Sequence, residues 1–144
     1  MAGGPVRVPQ GRPLTVVTIA PMPFTHTETV RFRDVDSMGH MNNAVYATFL
    51  EQARIAFLRP RGADQSTMIL ARLEIDFRRP VATGDTVAID VRPGGVGTKS
   101  FELEYTMRVD QDVVAEARSV LVAYDYAAAS SVEVPNALRE ALAA

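Results

Sequence analysis

The sequence contains no cysteine among its 144 residues. This absence excludes disulfide bonds, thiolate metal sites and a cysteine nucleophile. Histidine is also scarce, since His26 and His40 are the only two. Two histidines without a further ligand cluster are too few for a typical zinc site, so we expect no bound metal.

An excess of basic charge and long apolar runs are also missing. The net charge is -2 and the pI is about 5.7, so there is no global basic field for nucleic acid. No apolar run approaches the roughly 20 residues of a transmembrane helix. Prolines at positions 5, 9, 13, 21 and 23 interrupt the start of the chain, which lacks the basic-then-apolar layout of a signal peptide. We therefore expect a cytoplasmic protein with neither membrane nor nucleic-acid partners.

What is present is typical of one soluble globular domain, with 47% hydrophobic and 22% charged residues. Glycines and prolines near the start predict a partly flexible arm over residues 1–23, in which residues 15–19 have the composition of a short strand. Residues 24–144 are expected to form a single domain.

The first half of this domain predicts a strand followed by a long helix. Residues 27–33 are rich in Thr, Val and Phe and are interpreted as a strand. A polar turn follows at 37–39, and Asn42 is a plausible N-cap. From residue 43 to about 58, apolar residues recur at helical spacing until Pro60 stops the helix. Because its apolar face is wide, we expect this helix to be covered on most sides.

The second half predicts antiparallel strands. Apolar and polar residues alternate in three segments, and a fourth, longer segment is apolar on both faces and is expected to be central. These four segments are residues 69–78, 86–92, 101–109 and 113–124. A Gly-rich loop is expected at 93–97, a hairpin turn at 110–112 and a terminal helix at 136–143. One helix against one antiparallel sheet that wraps around it predicts an α+β fold.

Polar residues that can carry chemistry gather just before the long helix. They are Asp34, Asp36, Gly39, His40, Asn42 and Asn43. The first amides of a helix are unpaired donors with positive partial charge. A carboxylate beside them can activate water or attack a carbonyl while the amides hold the developing oxyanion. An ordinary capped turn contains the same residue types, so these residues alone leave both interpretations open.

The run from Arg33 to Tyr46 reads Arg-Asp-Val-Asp-Ser-Met-Gly-His-Met-Asn-Asn-Ala-Val-Tyr and is followed by Glu51 and Arg54. It resembles the signature of hotdog-fold acyl-CoA thioesterases of the 4-hydroxybenzoyl-CoA thioesterase type. The resemblance extends over about residues 27–126, and only the N-terminal arm is longer than the family needs. It implies a hotdog fold, with an antiparallel sheet wrapped around one central helix. It also implies hydrolysis of an acyl-CoA or acyl-carrier thioester to free acid and thiol.

The resemblance distinguishes the two aspartates. Asp36 lies three residues before the glycine and ten before the tyrosine of the motif, so it matches the family's catalytic aspartate. It would act either as nucleophile or as general base on water, and both routes stay open. The amide near Asn43 would polarise the carbonyl, while His40 and the Asn42 or Asn43 side chain would orient water or the carbonyl. Asp34 would hold the turn, paired to the arginine before it, Arg33.

Substrate binding is also inferred from the resemblance. Tyr46 is expected to line the substrate site. Coenzyme A brings phosphates, so cationic groups are expected near the entrance. Thr98, Lys99 and Ser100, which follow the Gly-rich loop, are preferred for this role over Arg78 and its neighbour Arg79. Coenzyme A is part of the substrate, so no separate cofactor is expected.

Alternatives remain for the catalytic group and for the function. Glu51 is the second candidate carboxylate, although pairing with Arg54 one helical turn later would make it structural. A non-catalytic hotdog domain that binds acyl-CoA or a protein partner is the second functional hypothesis. A hotdog dehydratase or hydratase is the third, and the Asp-x-x-Gly-His-x-Asn-Asn run argues against it.

The resemblance further implies assembly. Members of such families pair two sheets edge to edge, so that the active site uses both subunits. The predicted helix is too apolar for one small sheet to cover easily, and an unpaired edge strand is a liability. We therefore expect a homodimer or a dimer of dimers.

Overall fold

The computed structural model describes residues 24–144, so the predicted arm over residues 1–23 and its short strand lie outside the described residues. The elements, in chain order, are β1 (Phe24–Thr29), α1 (Asn43–Leu58), β2 (Met68–Phe77), β3 (Thr86–Val96), β4 (Ser100–Val109), β5 (Asp112–Asp125), β6 (Ser130–Ser131) and α2 (Asn136–Ala143). Single turns of 3-10 helix lie at Phe32–Asp34 and Arg59–Arg61. One antiparallel sheet packed on one long helix is the α+β arrangement that the sequence predicted.

Helix α1 begins and ends where local signals place it. The side chain of Asn42 accepts a hydrogen bond from the Ala44 N–H, which confirms the predicted N-cap. At the other end the helix passes into the 3-10 turn that contains Pro60. Gly62 then adopts a left-handed conformation with φ of 84°, which glycine tolerates without steric cost.

The main path through the sheet has the order β1-β3-β4-β5-β2, and every neighbouring pair is antiparallel. The short strand β6 pairs with β5. Strand β5 has neighbours on both sides, as predicted, although the middle strand of the path is β4. Strand β2 ends the path, so β5 is its strand neighbour within the described chain.

The core lies between α1 and the inner face of the sheet. Alternate residues of β3 and β4 supply it, and all are 1% exposed or less: Val87, Ile89, Val91, Phe101, Leu103, Tyr105 and Met107. Each fully buried large apolar side chain stabilises the fold by about 1.5–3 kcal/mol. Helix α1 packs chiefly against β1 and β3. A groove between α1 and β2 therefore remains, and both cavities described below lie along it.

The first predicted strand is placed wrongly at its end. Residues 30–33 are not strand, because β1 ends at Thr29 and the chain then turns. The backbone N–H of Val30 donates to the carbonyl oxygen of Asp85, and the Asp34 carboxylate accepts from the backbone N–H of Arg31. These contacts start the 3-10 turn and end the strand.

The predicted Gly-rich loop is also wrong over most of its length. Residues 93–96 were expected in a loop but belong to β3, which pairs with β4 up to Val96 across an irregularity that begins at Pro93. The turn itself covers residues 97–99. A bulge at Ala71 likewise breaks the alternation predicted along β2. Leu70, and not Ile69, therefore lies opposite the buried Leu121.

Candidate active site

The loop that carries Asp36 and His40 is closed at both ends. Val35 and Met41 form an isolated antiparallel bridge, and His40 forms another with Ala82. The backbone N–H of Met41 donates to the carbonyl oxygen of Val81 at 2.6 Å. The loop is thus attached to the segment that follows β2, and its backbone position does not depend on the loop alone.

Asp36 lies inside this loop as an exposed but anchored carboxylate. Its Oδ1 accepts hydrogen bonds from the backbone N–H groups of Met38 at 2.8 Å and His40 at 3.2 Å. Its own N–H donates to the carbonyl oxygen of His40 at 2.8 Å. Gly39 makes this tight path possible with a φ of 79°. Among the described residues no donor bonds Oδ2, so one oxygen is fixed and the other is open to a ligand.

The start of α1 leaves one backbone donor beside this carboxylate. The N–H of Ala44 is bonded by the Asn42 side chain, and the N–H of Val45 by the Asn42 carbonyl oxygen at 2.8 Å. The N–H of Asn43 has no acceptor among residues 24–144. Because Asn43 and Asp36 line the same cavity, the cavity combines a carboxylate with an unused amide at a helix N-terminus.

The cavity between these groups has a volume of about 290 Å³. Its lining comprises Asp36, His40, Met41, Asn43, Tyr46, Phe77, Arg78, Arg79 and Pro80. Tyr46 closes its inner side: the residue is 2% exposed, and its ring packs edge-on against Phe77 at 4.9 Å between ring centres. The Tyr46 hydroxyl donates to the Arg79 carbonyl oxygen at 3.4 Å. Burial raises the pKa of the Tyr46 hydroxyl, so it stays protonated near neutral pH.

Two arginines lie at the mouth of the same cavity. Arg78 pairs with Glu116 at 3.1 Å and with Asp76 at 3.7 Å, while Arg79 pairs with Asp112 at 3.6 Å. Both arginine side chains are more than half exposed, so these ion pairs are weak and the cations remain accessible to an anionic ligand.

The turn at Thr98, Lys99 and Ser100 is not part of this cavity. The N–H of Ala123 donates to the Lys99 carbonyl oxygen, whereas the N–H of Arg78 donates to the carbonyl oxygen of Val114. These two anchor points on β5 are nine residues apart, which is roughly 30 Å along a strand. Within one chain, the preferred phosphate-binding residues therefore lie at the opposite end of the sheet from Asp36.

Asp34 holds the turn, but its predicted partner was wrong. The carboxylate is buried and bonds Arg31, not Arg33: it accepts from the Arg31 backbone N–H at 2.8 Å and from Nε at 3.1 Å. The side-chain hydrogen bond from Arg31 lowers the pKa of Asp34, against the opposing effect of burial.

Glu51 and Arg54 are separated from Asp36. Glu51 lies eight residues beyond Asn43, which is about 12 Å along the helix axis. Both residues line a second cavity. The predicted pair between them does not occur within the described chain, because Arg54 is buried and donates to the Tyr105 hydroxyl. Sequence reasoning missed this contact, since no local signal connects residues 51 positions apart.

No helix in residues 24–144 is long and apolar enough to cross a membrane. In the same residues, no three His, Asp or Glu side chains come together as a metal site would require. The expected absence of a metal stays a prediction.

The fold and the cavity define a class of protein: an antiparallel sheet on one long helix, with a carboxylate at the helix N-terminus. A family model described as the thioesterase-like superfamily matches residues 30–142. The chain belongs to this superfamily, and the hotdog-thioesterase resemblance found in the sequence is confirmed.

The names of individual similar proteins agree with membership of this superfamily. A 1,4-dihydroxy-2-naphthoyl-CoA hydrolase of Nostoc punctiforme is 32% identical over 127 residues, covering 80% of this chain and 83% of the relative. The long-chain acyl-CoA thioesterase FadM of Escherichia coli is 29% identical, covering 78% and 92%. A Thermus thermophilus thioesterase, solved with coenzyme A and Zn, is 33% identical with a TM-score of 0.78, covering 84% and 92%.

Proposed function

We propose that this chain is an acyl-CoA thioesterase in which Asp36 is the catalytic carboxylate. The observation that carries the proposal is the shared cavity of Asp36 and Asn43. One Asp36 oxygen is held by two backbone amides, while the Asn43 N–H has no acceptor among residues 24–144. Family membership supports thioester hydrolysis, and the names of the relatives support coenzyme A as the thiol.

In the proposed reaction the thioester carbonyl oxygen accepts a hydrogen bond from the Asn43 N–H. The free Oδ2 of Asp36 then either attacks the carbonyl carbon or takes a proton from an attacking water. Negative charge develops on the carbonyl oxygen at the helix N-terminus, where amide and dipole stabilise it. In either route the carbon–sulfur bond breaks and the thiolate is protonated. After attack by Asp36, the thiolate takes its proton from solvent, and water hydrolyses the mixed anhydride on Oδ2 to release the acid and restore the carboxylate. After attack by water, Asp36 passes the proton that it took to the thiolate.

The neighbouring polar residues have supporting roles in this proposal. The backbone N–H and carbonyl of His40 are both used in the loop, which leaves its ring, at the cavity wall, to orient water. The Asn42 side-chain oxygen is used in capping, so only its NH2 group is available to the substrate. Arg78 at the mouth offers a cation to the phosphates of coenzyme A.

A homodimer would join the two ends of the sheet that one chain keeps apart. Strand β2 ends the path of the sheet, and its partner in the described chain is β5. A twofold pairing of β2 with its copy is antiparallel, so the Phe77 end of one strand lies beside the Met68 end of the other. We propose that Asp36 of one protomer then works with Lys99 of the partner subunit, whose turn lies at that end.

The proposal is tested by thiol release from short, medium, long and aromatic acyl-CoAs. Asp36→Asn keeps an acceptor for the Met38 and His40 amides, so it removes the charge and preserves the loop. We expect kcat to fall roughly 10²–10⁴-fold in Asp36→Asn and in Asp36→Ala. Glu51→Gln is the comparison variant, because Glu51 is the second candidate carboxylate and does not line the cavity of Asp36.

Two results would change the assignment of the catalytic residue or of the function. Full activity of Asp36→Asn, combined with loss of activity in Glu51→Gln, would transfer the catalytic role to Glu51. Binding of acyl-CoA without turnover of any member of the series would instead support a non-catalytic hotdog domain.

A further inference from the structure

A second cavity lies between the later turns of α1 and the beginning of β2, with a volume of about 210 Å³. Most of its wall is apolar and is formed by Ile55, Met68, Leu70 and Leu121, among others. About 150 Å³ lined by aliphatic side chains is enough to hold a benzene ring. This cavity therefore has room for one aromatic ring or a short chain with a substituent.

Arg54 brings a cation into this apolar wall. Arg54 is only 6% exposed, and one of its guanidinium nitrogens donates to the Tyr105 hydroxyl at 3.3 Å. That hydroxyl in turn shares a 2.7 Å hydrogen bond with the side chain of Ser119, which is fully buried. Tyr105 and Ser119 thus hold the guanidinium in place without neutralising its charge.

No carboxylate among residues 24–144 compensates this charge. Each ion pair found among residues 24–144 involves other residues. Residues 1–23 contain neither Asp nor Glu, so the arm has no side-chain carboxylate to offer. Glu51 lines the same cavity but is exposed and outside ion-pair distance of Arg54. A buried guanidinium without a counterion destabilises a fold unless another group binds it.

The free N–H groups of Arg54 reach the cavity. Within residues 24–144, every fully buried side-chain nitrogen or oxygen has a hydrogen-bond partner. In the described part of the chain, the only acceptor that bonds the guanidinium is the Tyr105 hydroxyl. The remaining guanidinium nitrogens are therefore in contact with open space, and the cavity that Arg54 lines provides it.

We propose that Arg54 determines substrate specificity by binding an oxygen acceptor, either a carboxylate or a hydroxyl, at the far end of the acyl group. This inference rests on the proposed thioesterase function and its twofold assembly. The twofold pairing of β2 puts the partner's Met68 and Leu70 beside Phe77, which lines the cavity of Asp36. The second cavity of one protomer then continues the catalytic cavity of the other.

Binding an oxygen at Arg54 discriminates between acyl groups for a physical reason. A charge-assisted hydrogen bond in an apolar cavity is stronger than one between neutral groups. An acyl group without the oxygen would bury Arg54 further and leave its donors unsatisfied. The wild-type protein should therefore prefer the oxygen-bearing member of a matched pair by tenfold or more in kcat/KM.

The test compares benzoyl-CoA with 4-carboxybenzoyl-CoA and with 4-hydroxybenzoyl-CoA, and hexanoyl-CoA with adipoyl-CoA. Arg54→Met keeps side-chain volume and removes the charge. We expect the preference to fall at least tenfold in Arg54→Met and to persist in Arg59→Met, which removes an exposed arginine outside the cavity. If Arg54→Met loses the preference for the carboxylate-bearing substrates, Arg54 binds an anionic group. If it loses the preference for 4-hydroxybenzoyl-CoA, Arg54 binds a hydroxyl.

A direct binding measurement separates this inference from the proposed function. Calorimetry with the thioether analogues phenacyl-CoA, 4-carboxyphenacyl-CoA and 4-hydroxyphenacyl-CoA needs no hydrolysis. A wild-type protein that turns over no thioester can still bind an oxygen-bearing analogue tenfold more tightly than phenacyl-CoA. If Arg54→Met then lacks this difference in affinity, Arg54 determines binding specificity even though the proposed enzyme activity is wrong.

Thermal unfolding distinguishes specificity from structure. Arg54→Met should melt at the wild-type temperature or above it, because an unpaired buried charge is replaced by an apolar side chain. The inference is overturned if wild type prefers neither kind of oxygen, or if Arg54→Met keeps the preference. It is also overturned if Arg54→Met melts lower while Arg54→Lys restores the melting temperature and neither variant changes the preference.

Discussion

The backbone N–H of Asn42 donates to the carbonyl oxygen of Asp34 over 2.8 Å. This hydrogen bond closes the intervening loop, so that the residue after the loop is the N-cap of α1. Asp36 is thereby held next to the first turn of the helix. Backbone hydrogen bonding therefore places the Asp36 carboxylate close to the helix N-terminus.

The role of the Asn43 amide can be tested by removing only its hydrogen. Asn43 is the first residue of α1, where proline is well tolerated, and Asn42 before it has φ of -61° and ψ of 137°, which suits a residue before proline. In Asn43→Pro we expect the fold to persist and kcat for acyl-CoA hydrolysis to fall about 10²–10³-fold. An assay of thiol release measures kcat, and circular dichroism shows whether the fold persists.

The matched control for that variant is Asn43→Ala, which keeps the backbone N–H and removes the side chain. Its kcat should remain within a few-fold of wild type if the amide polarises the carbonyl. Equal activity of the proline variant and wild type would show that another donor holds the carbonyl oxygen.

The N-cap contributes to stability independently of catalysis. Asn42→Ala removes the acceptor of the Ala44 N–H, and we expect the free energy of unfolding to fall by about 1 kcal/mol. Asn42→Asp retains an acceptor oxygen and should unfold within a few tenths of a kcal/mol of wild type. Urea denaturation followed by circular dichroism measures both variants, and an unchanged midpoint in Asn42→Ala would contradict the capping role.

Acid should weaken the fold through Asp34. Arg31 lowers the pKa of this carboxyl in the folded chain, so the unfolded chain takes up the proton first as the pH falls. The stability that Asp34 contributes is therefore present above about pH 4 and is lost below it. Melting temperatures between pH 3 and 7 should show a shallower pH dependence in Asp34→Asn than in wild type.

The control for this pH profile is Asp110→Asn, because Asp110 lies in the exposed hairpin turn and has φ of 53°, a conformation that asparagine tolerates. It should reproduce the wild-type profile. If Asp34→Asn also reproduces that profile, the ion pair with Arg31 does not stabilise the folded chain.

If Asp36 of one protomer works with Lys99 of the partner subunit, as proposed, mixed dimers of two inactive variants should regain activity. Asp36→Ala and Lys99→Glu should each be strongly impaired alone. In a heterodimer of the two, one site combines the unaltered Asp36 with the unaltered Lys99. Refolding an equal mixture should then recover about a quarter of the wild-type activity, because half of the dimers are mixed and each has one intact site.

Failure to recover activity in mixtures that exchange subunits would place Asp36 and Lys99 in independent sites. Mass measurement by light scattering and a tag exchanged between the two variants verify that mixed dimers form.

Several elements could be predicted because their signals are local. The limits of α1 follow from an Asn at the N-cap, apolar residues at helical spacing and a proline after the end. The alternation of β3 and β4 follows from one face meeting the core and the other meeting solvent. The motif from Asp36 to Asn43 was recognised for the same reason, since its residues are close in sequence.

Other elements depended on distant residues. Residues 93–96 form strand because β4 supplies pairing partners, which compensates for the low strand propensity of proline and glycine. The break in β2 at Ala71 is likewise visible only in its register with β5. Neither partner strand can be recognised from the segment itself.

The sequence by itself determined the class of the protein and its best catalytic candidate. Periodicity predicted an α+β fold, and the resemblance carried by the run around Asp36 implied a hotdog thioesterase. Only the tertiary structure decided which groups share a cavity. It placed Arg78 with Asp36 and the Lys99 turn at the far end of the sheet, and it connected Arg54 to Tyr105 and Ser119. The physical reason is that periodicity and capping depend on neighbours along the chain, whereas cavities are made by strands and helices that meet from distant parts of it.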